Sequence, residues 1–275
     1  MNNKKIIVSG HTGFLGENLV PNLNKDNLLF CNRYSFEDKN KPVFFDIKNK
    51  PISIFKIFQI EVVLLHLATH YSTSKSDNEK IYSANIVFGE KILSSLSNVN
   101  LKKIVYTNTM FNFYENEKLS NSYYSETKKQ FSEILKSYTA SKSINYEEIY
   151  LDNTFGEKDK RKKIISEIAR CILNNEQNPI KNPDNQINIL YVRDIVSRLK
   201  LSIENSASSG ISAFIGKESY LLSSIYDFLS EYNKTKNMEI DLLTKVKNYY
   251  TKDMPKIDYK NIKLHDVPAQ LTMLI

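Results

Sequence analysis

Tyr124 and Lys128 are the two residues whose types and spacing most directly suggest chemistry. They stand four positions apart in the segment YSETK, and this spacing places both side chains on one face of a helix. The face continues through Phe131 and Leu135, so both polar residues are expected to point inward along an apolar stripe. A free tyrosine, with a pKa of about 10, exchanges protons poorly at neutral pH, whereas a nearby ammonium group stabilises the phenolate and lowers that pKa. The pair is therefore suited to general acid–base catalysis.

A hydroxyl group at the end of a predicted strand precedes this pair. The segment YTNTMF contains Thr107 and Thr109, either of which could present its hydroxyl group to a carbonyl oxygen beside the tyrosine. A tyrosine and a lysine at this spacing are common and mostly accidental when they occur alone. The order along the chain makes them informative, because a glycine-rich turn comes first, then the strand-end hydroxyl group, then the tyrosine and the lysine.

Three of the seven glycines lie within seven positions, in the segment GHTGFLG. Glycine tolerates positive φ angles and lets another group approach the backbone closely. Gly10, Gly13 and Gly16 follow an apolar strand and open a helix. This context predicts a dinucleotide site, in which backbone N–H groups and the helix dipole face a pyrophosphate. The alternative is a tight turn with a purely structural role.

The end of the second predicted strand indicates which dinucleotide binds. An acidic residue there bonds the ribose 2′-hydroxyl group of NAD, whereas an arginine accommodates the 2′-phosphate of NADP. The chain reads FCNRYS, with Asn32 in place of a carboxylate and Arg33 next to it. These two residues favour NADP(H), and NAD(H) is the alternative.

The elements that must position these residues alternate between short apolar runs and amphipathic segments. Strands are predicted at KKIIVSG, NLLFCN, PVFFD, VVLLHLA, KKIVYTNT and INYEEIYL, and helices at GFLGENLVPNLN, ISIFKIF, NEKIYSANIVFGEKILSSL and YYSETKKQFSEILKSYTAS. Pro21 predicts an early end of the first helix. The alternation predicts an α/β fold, with a Rossmann-like, doubly wound parallel sheet.

After about residue 155 the alternation becomes less regular. Helices are predicted at IISEIARCIL, DIVSRLKLSIE and YLLSSIYDFLSEY, with strands at QINILYV and SAFIG. We therefore predict an NAD(P)-binding domain over residues 1–155. Residues 156–275 are predicted to form a smaller C-terminal α/β substrate lobe, partly interleaved with the first domain.

Composition limits the classes of partner. The chain is 41% hydrophobic and 25% charged, as ordinary globular proteins are, and no apolar run approaches the ~18 residues of a membrane span. The net charge of +7 comes from scattered lysines and one run, KDKRKK. This run either forms a solvated face or attracts an anionic small molecule. Neither a nucleic-acid nor a membrane partner is predicted, and a cytoplasmic location is expected. Cys31 and Cys171 lack metal-ligand spacing, so no metal site is predicted.

Over residues 4–230 the sequence resembles the extended short-chain dehydrogenase/reductases that act on sugar nucleotides, the NAD-dependent epimerase/dehydratase family. The glycine segment carries the resemblance together with FFDI, HLAT, SANIVFGEKIL, DNTFG and YVRDIV. Beside the three glycines, Asn32, Arg33, Tyr124 and Lys128, the resemblance implies cofactor contacts from Thr12, Phe14, Leu15, Asp46, Ile47, Leu67, Ala68, Thr69 and Asn85. It also implies a homodimer, formed through the helices that begin near Asn85 and Tyr124.

Within the family, HLATHYS, YTNTMFNFY and the short gap from Thr109 to Tyr124 resemble the CDP-abequose and CDP-paratose synthases. Those are NADPH-dependent reductases of nucleotide-linked 4-keto-deoxysugars. The resemblance implies that Thr109 and Tyr124 hold the ketone oxygen and that Tyr124 is the general acid. It implies that Lys128 binds the nicotinamide ribose and lowers the pKa of Tyr124. The substrate would be a CDP-, dTDP- or GDP-linked sugar, with contacts predicted from His70, Met110, Asn153 and Arg161.

Departures from the family pattern narrow the reaction. Met110 and Phe111 follow Thr109 where the 4,6-dehydratases carry an Asp-Glu pair, which disfavours dehydration. Ile187 stands where many relatives have an arginine that grips the diphosphate, and Arg161 or a lysine of KDKRKK is the expected substitute. The leading prediction is an NADPH-dependent 4-ketoreductase in deoxysugar synthesis for a surface polysaccharide, either O-antigen or capsule. The alternatives are an NAD-dependent C4 epimerase or dehydrogenase and a non-catalytic dinucleotide-sensing protein.

Overall fold

Strands and helices alternate along the chain, of which the computed structural model describes residues 4–37, 42–247 and 249–275. The strands are β1 (Lys4–Ser9), β2 (Leu28–Cys31), β3 (Val43–Phe45), β4 (Pro51–Ser53), β5 (Glu61–His66), β6 (Leu101–Thr109), β7 (Asn145–Leu151), β8 (Asn153–Phe155), β9 (Gln186–Tyr191), β10 (Gly210–Phe214), β11 (Ser219–Leu221) and β12 (Lys245–Val246). The α-helices are α1 (Phe14–Leu19), α2 (Asn78–Tyr82), α3 (Phe88–Ser95), α4 (Glu117–Ser120), α5 (Tyr123–Lys142), α6 (Ile164–Leu173), α7 (Val192–Glu204), α8 (Leu222–Thr235) and α9 (Val267–Thr272). A π turn, Ser83–Val87, joins α2 to α3. None of the helices in the described ranges has the length and apolarity that a bilayer crossing requires.

One sheet of eight strands forms the centre of the fold, in the order β10-β7-β6-β5-β1-β2-β3-β4. The six strands from β10 to β2 run parallel, and β3 and β4 extend one edge in antiparallel fashion. Parallel neighbours need crossover connections, and α1, α3, α5 and α7 lie in these connections. This arrangement confirms the predicted Rossmann-like α/β fold.

The two faces of this sheet bury separate hydrophobic layers. Ile7 and Leu64 pack in one cluster with residues of α3 and α5, whereas Val8 and Leu65 pack in another with residues of α1 and α7. Consecutive strand residues point to opposite faces, so a continuous apolar run supplies both layers at once. The uninterrupted hydrophobic strands in the sequence are therefore explained by helices on both sides of the sheet.

A smaller sheet of four strands follows, in the order β12-β11-β9-β8. β8 and β9 are parallel, and β11 is antiparallel to both β9 and β12. Ile168 of α6 and Phe228 of α8 belong to its hydrophobic core. Since β10 belongs to the larger sheet, the C-terminal part of the chain is interleaved with the first part. The division into two domains at residue 155 stays a prediction.

For two segments, the helix predicted from the sequence can be compared with the structure that forms. α1 ends at Leu19 and Pro21 lies in a following 3-10 turn, so the early end is confirmed. The helix predicted at ISIFKIF is wrong, because the segment forms strand β4 and one 3-10 turn, Ile54–Ile57. Ile54 and Ile57 are both buried, and residues three apart eclipse one another in a 3-10 turn. Their spacing therefore serves a single turn as well as it would serve a helix.

A buried ion cluster joins β6, β7 and α7. The Glu147 carboxylate lies 2.6 Å from Nζ of Lys103 and 2.8 Å from a guanidinium nitrogen of Arg198. Burial alone would raise the pKa of Glu147, but the hydrogen bonds from Lys103 and Arg198 outweigh burial and lower that pKa to about 2. The cluster thereby fixes α7 to the sheet at the edge where β7 meets β10.

Replacing Glu147 with Gln is expected to lower the free energy of unfolding by about 3–5 kcal/mol, because Lys103 and Arg198 would stay buried without a counter-charge. Urea denaturation followed by circular dichroism measures the change. Glu239, an exposed residue after α8, offers the control, and Glu239→Gln is expected to cost less than about 0.5 kcal/mol. Equal losses in the two variants would contradict a structural role for the cluster.

Candidate active site

A cavity of about 780 Å³ lies at the carboxyl ends of β1, β5, β6 and β7. Ligand sites in open parallel sheets occur at this edge of the sheet. The cavity gathers most of the predicted site residues, namely Gly10, Thr12, Gly13, Phe14, Leu15, Leu67, Ala68, Thr69, His70, Thr109, Tyr124, Lys128, Asn153 and Arg161. Within the described ranges, no group of three or more His, Cys, Asp or Glu side chains could hold a metal ion.

The glycine turn approaches neighbouring backbone too closely for side chains. Gly10 has a φ angle of 76°, and a Cβ atom there would lie 2.6 Å from the backbone nitrogen of Ala68. A Cβ atom on Gly16 would lie 2.4 Å from the carbonyl oxygen of Gly10. These two glycines therefore permit the turn between β1 and α1. Gly13, like Gly10, lies in the cavity wall, where a ligand can reach its backbone.

Thr109, Tyr124 and Lys128 line the same cavity. Thr109 ends β6, and its Oγ1 atom accepts a hydrogen bond from the backbone nitrogen of Phe111 at 3.2 Å, so the hydroxyl hydrogen remains available for donation. Tyr124 lies in the first turn of α5, which the N-cap residue Ser122 starts, and Lys128 follows one turn later. The structure thus places the three residues predicted to be catalytic in the wall of one cavity.

The Lys128 ammonium group is turned toward β6. Its Nζ atom donates a hydrogen bond to the carbonyl oxygen of Thr107 at 2.7 Å and lies 4.2 Å from the centre of the Tyr106 ring. Burial lowers the pKa of Lys128 to about 7, while the Glu148 carboxylate acts in the opposite direction. Lys128 is therefore close to losing its proton at neutral pH.

Tyr124 has a raised pKa, opposite to the shift predicted from Lys128. Burial raises the pKa of Tyr124 to about 12, and a hydrogen bond with Thr69 counteracts only part of this increase. The prediction that Lys128 lowers the pKa of Tyr124 is wrong for this structure, because the ammonium group is engaged by Thr107 and desolvation of the phenol dominates. A phenol with this pKa is protonated at neutral pH, which is the form that a proton donor requires.

Asn85 links the segment after β5 to α5 by hydrogen bonds. It is buried in the π turn between α2 and α3. Its Oδ1 atom accepts hydrogen bonds from Oγ1 of Thr69 at 2.9 Å and from the backbone nitrogen of His70 at 2.8 Å. Its Nδ2 atom donates to Oγ1 of Thr127 at 3.0 Å. Asn85, predicted to contact the cofactor, therefore positions the walls that carry Thr69 and Tyr124.

Asn32 and Arg33 follow β2 and lie outside the cavity wall. The Asn32 side chain accepts a hydrogen bond from the backbone nitrogen of Tyr34 at 2.9 Å. The guanidinium group of Arg33, an exposed residue, lies 4.7 Å from the centre of the Tyr34 ring. The structure therefore keeps the two residues predicted to select NADP on the surface beyond β2, next to the strand that leads into the glycine turn.

Asp46 and Ile47 follow β3 and also lie outside the cavity wall. The Oδ1 atom of Asp46 accepts hydrogen bonds from the backbone nitrogens of Lys48 and Lys50 at 2.9 and 2.8 Å, so Asp46 shapes the turn between β3 and β4. The Ile47 side chain is 41% exposed. Their contact with the adenine side of a dinucleotide stays a prediction.

Met110 is the predicted substrate contact that the structure places elsewhere. Its side chain is fully buried in a cluster with Tyr114 and Tyr150, whereas its neighbour Phe111 lines the cavity. A 3-10 turn, Met110–Phe113, begins where β6 ends, and this change of backbone direction takes Met110 into the core. The prediction of a substrate contact from Met110 is therefore corrected, and Phe111 takes its place in the wall.

Arg161 lines the cavity but is already held by internal contacts. Its Nε and Nη2 atoms bond the Asp159 carboxylate at 2.7 and 2.8 Å, and Nη2 also donates to the carbonyl oxygen of Thr154 at 2.9 Å. The guanidinium group lies 3.9 Å from the centre of the Phe14 ring. Arg161 is therefore held in the cavity wall as a guanidinium group that is paired with Asp159.

The basic run KDKRKK also reaches the cavity through Lys162 and Lys163. The Lys163 ammonium group lies 3.1 Å from the centre of the Tyr71 ring, and burial lowers the pKa of Lys163 to about 7. Ile187, at the position where many relatives carry an arginine, packs into the hydrophobic core of the smaller sheet. Positive charge at this cavity comes from the segment before α6 instead.

Tyr71 and Asp152 line the cavity without having been predicted. The Tyr71 ring stands perpendicular to the Tyr124 ring, with centres 5.0 Å apart. Asp152 accepts hydrogen bonds from the hydroxyl groups of Tyr114 and Tyr250, and burial raises the pKa of Asp152 to about 6. Their position in the sequence could have identified them, because each residue lies in the segment that follows the carboxyl end of a parallel strand.

Comparisons with known proteins show the family of the chain. The model of the NAD dependent epimerase/dehydratase family matches residues 6–216. A CDP-abequose synthase from Salmonella muenchen is 25% identical over 219 residues, an alignment that covers 76% of this chain and 73% of that protein. A dTDP-D-glucose 4,6-dehydratase from Dictyostelium discoideum is 27% identical over 244 residues, covering 72% of this chain and 56% of that protein.

Solved structures share the fold across nearly the whole chain. A UDP-glucuronic acid 4-epimerase from Bacillus cereus matches with a TM-score of 0.74 at 14% identity, covering 98% of this chain and 96% of that one. A UDP-N-acetylglucosamine 4-epimerase from Methanobrevibacter ruminantium matches with a TM-score of 0.71 at 19% identity, covering 99% and 97%. At these identities the likeness concerns the fold.

Replacing Gly16 with Ala is expected to lower the free energy of unfolding by about 1–3 kcal/mol, because the new methyl group would overlap backbone atoms of the turn. Gly13→Ala is the matched control. A Cβ atom on Gly13 would lie 3.3 Å from the carbonyl oxygen of Gly10, and the expected loss is below about 1 kcal/mol. Urea denaturation of both variants measures the difference, and similar losses would contradict the close packing inferred at Gly16.

Proposed function

The chain belongs to the NAD dependent epimerase/dehydratase family, and on that premise we propose that it is an NADPH-dependent 4-ketoreductase of nucleotide-linked 4-keto-deoxysugars. The observation that carries the proposal is the meeting of Thr109, Tyr124 and Lys128 in one cavity beside the glycine turn. The similarity to a CDP-abequose synthase supports the class of substrate. The product would be the 4-hydroxy sugar, made for a surface polysaccharide such as O-antigen or capsule.

The glycine turn fits the phosphates of a dinucleotide. Thr12 and Gly13 are exposed in the cavity wall, and the missing side chain at Gly13 leaves room for a phosphate to reach backbone N–H groups. Leu67, Ala68 and Thr69 line the cavity next to the glycine turn and would flank the dinucleotide. When bound, the reduced nicotinamide supplies a hydride to the carbonyl carbon of the substrate.

Tyr124 would donate the proton that the carbonyl oxygen takes up. Its raised pKa keeps the phenol protonated until the oxygen gains negative charge. The hydroxyl group of Thr109 would donate a second hydrogen bond to the same oxygen and polarise the carbonyl group. Lys128, one helical turn from Tyr124, would hold the nicotinamide ribose.

The charges around the cavity favour a substrate with a diphosphate. Arg161, Lys162 and Lys163 line it, and a nucleoside diphosphate sugar carries negative charge at its centre. We assign the diphosphate to these three residues, which would replace the arginine that many relatives carry at the position of Ile187. His70 and Asn153 would then contact the sugar.

A homodimer is part of this proposal. Asn85 of the π turn bonds Thr127 of α5, and Phe131 of α5 packs in one cluster with Ile92 of α3, so these helices form one layer on the larger sheet. Pairing of this layer with that of a second copy would give the four-helix arrangement implied by the family resemblance.

Tyr124→Phe is expected to lower kcat by about 10²–10⁴-fold, because the ring is kept and the transferable proton is lost. NADPH binding should stay nearly unchanged. The measurement is the loss of NADPH absorbance in the presence of enzymatically made CDP-, dTDP- and GDP-4-keto-deoxysugars. Tyr123→Phe is the control, since Tyr123 precedes it in α5 and is expected to tolerate the change. Unchanged turnover in Tyr124→Phe would refute its role as the acid.

The same assay separates the alternatives. NADPH oxidation with one nucleotide series would establish the ketoreductase and its nucleotide. No oxidation with any series, together with NAD released when the protein is denatured, would indicate the NAD-dependent C4 epimerase or dehydrogenase. The fold shared with UDP-sugar 4-epimerases makes the epimerase the second candidate. Dinucleotide binding without either activity would indicate a sensing protein.

Arg33→Ala is expected to raise the KM for NADPH by about 10–100-fold, because a charge-assisted hydrogen bond to the 2′-phosphate would be lost. The KM for NADH in the same variant is the internal control and should not change, since NADH lacks that phosphate. Steady-state kinetics with both dinucleotides measure the two values. An equal effect on both would contradict the assignment of Arg33 to the 2′-phosphate.

A further inference from the structure

Three aromatic rings from three elements meet in the cavity wall. Tyr71 lies in the segment after β5, Phe111 in the 3-10 turn after β6 and Tyr124 in the first turn of α5. The ring centre of Tyr71 is 5.0 Å from that of Tyr124 and 6.1 Å from that of Phe111. The ring centres of Phe111 and Tyr124 are 6.4 Å apart. All three residues line the cavity, and we call this group the aromatic corner.

Contacts within the protein hold the aromatic corner. Its rings meet edge to face, as aromatic pairs prefer, with interplanar angles from 62° to 85°. The backbone nitrogen of His70, next to Tyr71, donates a hydrogen bond to the Asn85 side chain. Phe111 packs against the buried ring of Tyr114, with centres 5.1 Å apart. The three rings are therefore placed by the fold on which they are carried.

The aromatic corner offers a ligand apolar surface instead of hydrogen-bonding groups. Phe111 has no polar atom, and the ring faces of Tyr71 and Tyr124 neither donate nor accept ordinary hydrogen bonds. A hydroxyl group pressed against these rings would lose its hydrogen bonds to water without replacement, which costs free energy. A methyl group in the same place would be stabilised by its burial. This part of the wall thus favours an apolar substituent.

The proposed function brings one edge of the sugar to this corner. The ketone oxygen on C4 would lie at Tyr124, and the diphosphate on C1 would lie at the basic segment before α6. Tyr71 contacts both places, because its ring centre is 3.1 Å from Nζ of Lys163 and 5.0 Å from the ring centre of Tyr124. C1 and C4 are opposite atoms of a six-membered sugar ring. The sugar would therefore run alongside Tyr71.

C6 is the sugar atom that can fill the aromatic corner. It is the exocyclic carbon on C5, and C5 is bonded to C4. With the C4 oxygen at Tyr124, C6 would reach the two rings that contact Tyr124, those of Tyr71 and Phe111. C3 is bonded to C4 as well, but it carries no carbon substituent that could enter the space between the rings.

We propose that Tyr71 and Phe111 are specificity-determining residues, which select a nucleotide-linked sugar whose C6 is a methyl group over one whose C6 carries a hydroxyl group. This inference rests on the proposed function, since that function places C4 at Tyr124. It narrows the substrate class to 6-deoxysugars. Both residues contact the sugar without exchanging a proton or forming a bond with it.

Two nucleotide sugars that differ only at C6 test this selection. The probes are 6-deoxyglucose and glucose, each linked to CDP, dTDP or GDP. Isothermal titration calorimetry in the presence of NADP⁺ and NAD⁺ gives the Kd of each probe, and no turnover is needed. An apolar pocket discriminates against an added hydroxyl group by up to about 100-fold. We therefore expect the wild type to bind the 6-deoxysugar about 10–100-fold more tightly in the series that it recognises.

Phe111→Asn should reduce this preference to less than about threefold, because the new amide can form a hydrogen bond with a hydroxyl group on C6. Phe111→Leu keeps the corner apolar and should keep most of the preference. Phe113→Leu is the matched control and should keep all of it, since Phe113 belongs to the same turn but packs against Tyr150, with ring centres 5.0 Å apart. Tyr71→Asn is the second test variant if Phe111→Asn does not fold.

Equal affinity of the wild type for the two sugars would overturn this selection, as would an unchanged preference in folded Phe111→Asn or a lost preference in Phe113→Leu. Turnover separates the two proposals. A wild type that reduces 4-keto sugars but binds both probes equally keeps the proposed function and loses the selection at C6. A wild type that prefers the 6-deoxysugar but reduces no keto sugar keeps the selection and loses the proposed function. Binding of neither probe in any series overturns both.

Discussion

The site depends on a contact between two stretches of backbone with no side chain between them. Gly10, at the end of β1, rests against the backbone of Ala68, just beyond β5, and the backbone nitrogen of Leu67 donates to the carbonyl oxygen of Ser9 at 3.1 Å. β1 has β2 on one side and β5 on the other, so the chain leaves these strands in opposite directions. The crevice forms where the directions diverge. A side chain at Gly10 would force the strand ends apart.

Local signals in the sequence predicted much of this arrangement. Continuous apolar strands indicated helices on both faces, and the spacing of Tyr124 and Lys128 indicated one inward face of α5. The three glycines indicated a strand, a turn and a helix. Each of these signals needs only neighbouring residues, because strand burial, helical periodicity and turn conformation are set within a few positions. The family resemblance chose Thr109 over Thr107 and added Asn153 and the segment after β5.

What the sequence could not predict depends on distant contacts. The strand at ISIFKIF exists because β3 pairs with it. Phe111 lines the cavity in place of the predicted Met110, because the chain enters a 3-10 turn after β6. The apolar character of the two residues does not reveal this turn. The pKa of Tyr124 depends on desolvation and on the carbonyl oxygen that engages Lys128. The burial of the two glutamates of YEEIYL could not be predicted for the same reason, since their hydrogen-bond and ion-pair partners lie on other elements.

The side-chain amide of Asn85 has a consequence for how this cavity meets its ligands. Its hydrogen bonds to Thr69, His70 and Thr127 involve protein groups only, so the chain itself ties the wall after β5 to the helix that carries Tyr124. Ligand binding then need not order either wall, and the entropy cost of that ordering falls on folding instead of on recognition. Asn85 thus acts as a hydrogen-bonded cross-link between these two parts of the cavity wall.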